Sequence, residues 1–62
     1  MSIQDEARAA LVEATRVRDS GWRQAILDAL AAGVGATEVA RLAGITRGRV
    51  YQISNEAKET QR

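Results

Sequence analysis

The chain has 62 residues, a formal net charge of +1, and neither cysteine nor histidine. The lack of these two residue types excludes disulfide bonds, Cys/His zinc sites and imidazole catalysis, and we expect no metal site. A domain of this size buries only about 60% of its unfolded surface, so a partner subunit is the expected further source of stability. Proline is also absent and small aliphatic residues dominate the apolar fraction, which favours helices.

No apolar run approaches the roughly 20 residues that a membrane-spanning helix needs. The first residues are polar and acidic, unlike a secretory signal. We therefore expect a cytoplasmic protein that does not interact with membranes.

The first predicted element is a long helical segment within residues 1–20, because Ser2 followed by Asp5 resembles a capping box at its start. Apolar residues then recur every three or four positions and form an Ala-rich stripe. The stripe either packs on the chain's own core or forms the seam of a dimer, since small side chains let two helices approach closely. We favour the dimer because the chain is short. The predicted interface consists of Ile3, Ala7, Ala10, Leu11, Ala14 and Val17.

A second helical run follows a predicted break or kink at Ser20 and Gly21. Gly33 is the expected cap at its end. Whether the first two runs form one bent helix or two helices stays open. We interpret Trp22 as a core residue, and the apolar side of this run carries Trp22, Ile26, Leu27 and Leu30.

The stretch "ATEVARLAG" predicts a short third helix that ends at Gly44, with Glu38 in its first turn, where a carboxylate suits the helix dipole. Thr46 is well placed to cap a fourth helix, "RGRVYQISNEAKE". No acidic residue lies between Glu38 and Glu56, whereas three arginines do: Arg41, Arg47 and Arg49. The basic charge of the chain is therefore local.

Residues 36–55 resemble the helix-turn-helix of DNA-binding proteins, as found in small bacterial or phage-type regulators. Ala40 occupies the place of the small residue at which the two helices cross, and Gly44 matches the turn glycine, which is often left-handed. The segment "GITRGRVYQ" is similar to the reading helix of the resolvase-invertase group. The resemblance gives a predicted motif core of Val39, Ala40, Ala43, Gly44, Ile45, Val50 and Ile53.

This resemblance implies an all-α domain of three to four helices, with a DNA-binding core at residues 22–58 and a dimerising N-terminal helix, residues 1–20, that extends from it. The helix that starts at Arg47 would enter the major groove. Arg47 and Gln52 are candidates to read base edges, and Gly48 would permit close approach. The residues expected to contact the DNA backbone or to lie at its flank are Arg41, Thr46, Arg49, Tyr51 and Asn55. Alternatively, Arg41 and Arg49 are solvated helix charges. Tyr51 is alternatively an aromatic residue at the edge of the core.

We therefore expect a homodimeric, sequence-specific double-stranded DNA-binding protein, a small transcriptional regulator associated with the nucleoid, without a cofactor or small-molecule ligand. Two reading helices would lie about 34 Å apart. An enzyme is disfavoured because the sequence has neither an imidazole base nor a phosphate-binding loop. A protein-interaction module with the same fold stays open. An architectural DNA-coating protein is a further alternative, although such chains are usually more basic.

Overall fold

The computed structural model describes residues 2–18 and 21–60, which form four α-helices and no strand. The prediction of a small all-α domain is confirmed. No helix in this part of the chain combines the length and the apolar character that crossing a membrane requires. The helices are α1 (Ile3–Val17), α2 (Gly21–Ala31), α3 (Ala36–Ala43) and α4 (Arg47–Thr60).

The first two helical runs are separate helices, which answers the question that the sequence leaves open. α1 ends at Val17, and Arg18 adopts the left-handed conformation with φ 53°. The backbone N–H of Arg18 donates to the carbonyl of Ala14 at 2.8 Å. α2 begins at Gly21. Ser20, the other residue of the predicted break, lies outside the described residues.

Two hydroxyl side chains cap the first turns of α1 and α4. Ser2 Oγ accepts a hydrogen bond from the Asp5 N–H at 3.1 Å. Thr46 Oγ1 accepts one from the Arg49 N–H at 3.2 Å. Each bond satisfies one of the donors that the first turn of a helix leaves without an intrahelical partner. Both caps lie where the sequence predicts them.

α2 and α3 end in the same type of glycine cap. Gly33 has φ 97° and Gly44 has φ 70°, a left-handed conformation that glycine adopts without a Cβ penalty. The next residue, Val34 or Ile45, donates its N–H at 3.0 Å to the carbonyl five residues earlier. This is the Schellman arrangement, in which the last carbonyls of a helix find donors. We call these turns the Gly33 cap and the Gly44 cap.

All four helices contribute to one small aliphatic core. α1 packs against α2 and α3, whereas no Cα atom of α1 lies within 8 Å of a Cα atom of α4 among the described residues. Trp22 is half-buried and packs on the core, as the sequence predicts, together with Leu27 and Leu30. The fully buried residues are Leu11, Ile26, Ala29, Val34, Val39, Ala40, Ala43, Val50 and Ile53.

The structure overturns the prediction that α1 extends away from the core and offers its whole stripe to a second copy. Leu11 has no exposed surface, and Ala7 packs half-buried against the core. Both residues therefore belong to the chain's own interior, because a core this thin gains most from a large aliphatic side chain. Ala14 is half-buried, while Ala10 is exposed. The remaining two members, Ile3 and Val17, are 70% and 64% exposed.

We expect Leu11→Ala to destabilise the fold by about 2–5 kcal/mol, because the substitution removes buried methyl groups and leaves a cavity. A small domain has about that much stability in total, so much of the variant should be unfolded. Urea denaturation followed by circular dichroism measures the effect, with Val17→Ala on the exposed side of α1 as the matched control. Equal midpoints for the two variants would mean that α1 is not part of the core.

Candidate functional site

α4 has one buried face and one exposed face over its first nine residues. Val50 and Ile53 are 0% and 1% exposed and lie in the core. Five residues on the other side are exposed, and their spacing of three and four places them along one face of a helix. We call this surface the outer face of α4; it consists of Arg47, Gly48, Tyr51, Gln52 and Asn55.

The turn between α3 and α4 is short and anchored on both sides. It contains three residues, of which Gly44 forms the left-handed cap, Ile45 packs half-buried against the core and Thr46 caps α4. Both helices therefore have fixed ends at the turn. The other positions of the predicted motif core are all buried: Val39, Ala40, Ala43, Val50 and Ile53.

The two carboxylates that bracket the acid-free segment are each paired with an arginine from another helix. Glu38 Oε2 lies 2.9 Å from Arg8 Nε of α1 and 3.8 Å from Arg41 Nη2 of its own helix. Glu56 Oε1 lies 2.6 Å from Arg23 Nη2 of α2. These pairs offset negative charge at both edges of the site; Arg41 shares the Glu38 carboxylate, whereas Arg47 and Arg49 have no ion pair with a described residue.

The arginines of the acid-free segment remain available to an external partner. The Arg41 side chain is 76% exposed and forms an ion pair at 3.8 Å with the Glu38 carboxylate that it shares with Arg8. Arg47 is exposed and Arg49 is half-buried. No hydrogen bond or ion pair joins the side chains of Arg47, Arg49, Tyr51 or Gln52 to another described residue. Tyr51 is 53% exposed, so it is a surface residue rather than a core-edge one.

Gly48 has no packing reason within the chain to be glycine. A Cβ added at this position would meet nothing nearer than Thr46 Oγ1, at 3.9 Å, and its φ is not in the left-handed region. Glycine inside a helix costs about 0.5–1 kcal/mol relative to alanine. At Gly48 no side chain covers the helix backbone on the outer face beside Arg47. The fold itself does not explain the loss of stability that this glycine causes.

No protein-family model, curated protein or solved structure matches the chain. Guanidinium groups donate hydrogen bonds in a planar fork, and the Gln52 and Asn55 amides both donate and accept. These guanidinium and amide groups suit a ligand that carries many negative charges and also exposes planar groups with hydrogen-bond donors and acceptors. Within the described residues, no three carboxylates are grouped to hold a metal ion.

Sequence reasoning missed one side chain beside the turn. Arg18 Nη2 donates to the carbonyl oxygen of Ala43 at 3.1 Å, and the guanidinium carbon lies 5.0 Å from the centre of the Trp22 ring. The residue at the end of α1 thus contacts the end of α3, 25 positions further along the chain. A periodic pattern carries no signal for such a pair, because the contact depends on how α1 docks.

We expect Gly44→Ala to destabilise the fold by about 1 kcal/mol or more, since a side chain at φ 70° is strained and its Cβ would lie 3.3 Å from Arg18 Nη2. Gly48→Ala is the matched control and should stabilise α4 by up to about 1 kcal/mol. Urea midpoints measured by circular dichroism compare the two. A shift of the same sign in both variants would contradict the assigned turn geometry.

Proposed function

We propose that the chain binds duplex DNA as a small transcriptional regulator and reads the major groove with the N-terminal half of α4. The observation that carries this proposal is the outer face of α4, whose polar side chains make no hydrogen bond or ion pair with another described residue, while Val50 and Ile53 on the opposite side are buried. The major groove is wide enough to admit one α-helix. The proposed activity is binding, without catalysis or a cofactor.

Base readout is assigned to the start of α4. Arg47 bonds both acceptors on the major-groove edge of guanine, and Gln52 pairs in the same bidentate way with adenine, each contributing about 1–3 kcal/mol of discrimination. Gly48 lies in the same stretch of the outer face, where the missing side chain allows the helix backbone to approach the bases closely. The open packing around Gly48 supports this role.

Phosphate contacts are assigned to the residues around this centre. Arg41 projects from α3 and Arg49 from the flank of α4, while Thr46, Tyr51 and Asn55 supply neutral hydrogen-bonding groups. Contacts of this kind position the helix and make affinity depend on salt. The Arg8–Glu38 pair supports the role of Arg41, because Arg8 offsets the one carboxylate beside it.

The local geometry of the turn supports the resemblance to a helix-turn-helix. Gly44 is left-handed, Ala40 is buried and Ile45 packs on the core, as the resemblance requires. The assignment to that class of DNA-binding proteins is part of the proposal. Binding to chromosomal DNA would place the protein in the cytoplasm, at the nucleoid.

We also propose that two copies pair through the exposed flank of α1, which consists of Ile3, Ala10 and Val17. These residues recur every seven positions and so form one narrow apolar strip. Because the Cα atoms of α1 and α4 are more than 8 Å apart among the described residues, pairing through α1 would leave both outer faces open. In such a dimer we expect the two reading helices to lie one turn of DNA apart, about 34 Å.

The test of the function is selection of the purified protein on a random duplex library at about 150 mM salt, where non-specific binding is weak. We expect an enriched inverted repeat whose half-site centres are one DNA turn apart. Repeating the selection with Arg47→Ala should relax the preference at one base pair of each half-site. Recovery of unenriched sequence by the wild-type protein would refute specific binding.

We expect Gly48→Ala to lower affinity for the selected site by roughly tenfold or more, although the same change should stabilise the fold. The added methyl group would separate the α4 backbone from the base edges. Fluorescence anisotropy with labelled duplex measures affinity, and denaturation of the same samples measures stability. If affinity and stability rise together, Gly48 does not face the DNA.

Two neighbouring alanines on α1 provide a matched test of the dimer. Ala10 and Ala9 are both exposed, but only Ala10 lies on the proposed flank, since successive residues differ by about 100° around a helix. Ala10→Glu should convert a dimer to a monomer by sedimentation equilibrium, and Ala9→Glu should not. A wild-type monomer at the highest concentration, or equal effects of both variants, would remove α1 as the interface.

One observation favours a second candidate function, a protein-interaction module. Val12 is 43% exposed and lies on the opposite side of α1 from Ile3, because the nine positions between them correspond to about half a turn beyond two full turns. A different subunit could therefore bind α1 on the side that the proposed dimer leaves uncovered. This reading predicts no enriched DNA sequence in the selection and a monomeric wild-type protein.

A further inference from the structure

Arg18 has a backbone conformation that its residue type does not favour. It is the one non-glycine residue with positive φ in the described parts of the chain, at φ 53° and ψ 42°. Asparagine and aspartate tolerate this region through local hydrogen bonds of their short side chains, but arginine has no such bond. A strained residue of this kind persists when surrounding contacts determine it. The contacts of its side chain are therefore informative.

The Arg18 guanidinium lies against the end of α3. Its Nη2 donates to the carbonyl of Ala43 at 3.1 Å and is 3.3 Å from the position of a Cβ built on Gly44. Ala43 is the last residue of α3, so its carbonyl has no partner within that helix. A cation at this position also suits the negative end of the helix dipole.

Trp22 holds the guanidinium from the other side. The indole ring centre lies 5.0 Å from the Arg18 guanidinium carbon, within the range of a cation–π contact. The ring is itself fixed, because Trp22 Nε1 donates to Thr15 Oγ1 at 3.0 Å and Thr15 Oγ1 donates to the Leu11 carbonyl at 2.7 Å. The chain of contacts runs from the buried part of α1 through the start of α2 to the Gly44 cap.

We propose that Arg18 is a positioning residue: its guanidinium, braced by Trp22, holds the Gly44 cap and thereby sets the orientation of α4. Among the described residues the Cα atoms of α1 and α4 are more than 8 Å apart, and Arg18 links the end of α1 to the turn that precedes α4. The consequence for DNA recognition rests on the proposed function. The consequence for the turn itself does not.

Amide hydrogen exchange tests the turn without DNA, because the chain carries two caps of the same type. In the Gly44 cap, Ile45 donates its N–H to the Ala40 carbonyl; in the Gly33 cap, Val34 makes the equivalent bond at the same 3.0 Å. Arg18→Ala should raise the opening rate at the Ile45 amide several-fold relative to the Val34 amide. A general loss of stability would raise exchange at both amides equally, and that result would overturn the proposal.

Arg18→Gly separates the side chain from the backbone. Glycine relieves the left-handed strain, so Arg18→Gly should be more stable than Arg18→Ala but should show the same selective exchange at Ile45. Arg16→Ala is the matched control, because Arg16 is an exposed arginine of α1 whose contact is with Glu13 at 3.6 Å. Wild-type exchange in Arg18→Gly would assign the effect to backbone strain and overturn the role of the guanidinium.

DNA affinity then tests the consequence for recognition. Well below the unfolding temperature, Arg18→Ala should weaken binding to the selected site about fivefold to tenfold. Its affinity for unrelated duplex and its salt dependence should stay at wild-type values, because Arg18 would touch no phosphate. Equal loss on both duplexes with a reduced salt slope would make Arg18 a phosphate contact instead. If the wild-type protein binds no DNA, the proposed function fails while the exchange experiment still decides the role of Arg18.

Discussion

All four helices share one small core made of short aliphatic side chains, and the rest of the structure depends on this constraint. The largest fully buried side chains are leucine and isoleucine, and three of the buried residues are alanines that let helices approach closely: Ala29, Ala40 and Ala43. A core of this kind gains little from any single contact, so each helix has to contribute its apolar face. Leu11 is the clearest example, because its complete burial requires α1 to pack on the other helices of the same chain.

The same constraint leaves α4 with a face that the fold does not use. Val50 and Ile53 are its fully buried residues, and the polar residues opposite them make no stabilising contact within the described chain. Two features of that face do not favour stability, namely a glycine in the first turn of α4 and an arginine, Arg47, without an ion pair to another described residue. Local choices that disagree with the fold are expected where a surface has another purpose. The proposal of DNA binding therefore rests on the outer face of α4 and not on the net charge of the chain.

The sequence predicts those parts of the structure that local chemistry determines. The Ser2 and Thr46 caps, the left-handed Gly44 and the burial of Val50 and Ile53 follow from residue type and helical spacing. The docking of α1 does not follow, because an Ala-rich stripe with one leucine suits either an internal core or a dimer seam. The Arg18 contact with Ala43 depends on that docking, so it cannot be predicted from the sequence either.

α1 therefore has three different surfaces, and their arrangement bears on how the molecule would work. Leu11 fixes its inner side in the core, Arg18 at its end contacts the turn before α4, and Ile3 and Val17 remain exposed on its flank. A partner that docks on the flank would bind the same helix that holds the turn. Since a rigid helix transmits displacement along its length, pairing through α1 would fix the spacing of two reading helices as well as their number. Dimerisation and recognition would then be properties of one continuous element rather than of two separate parts of the chain.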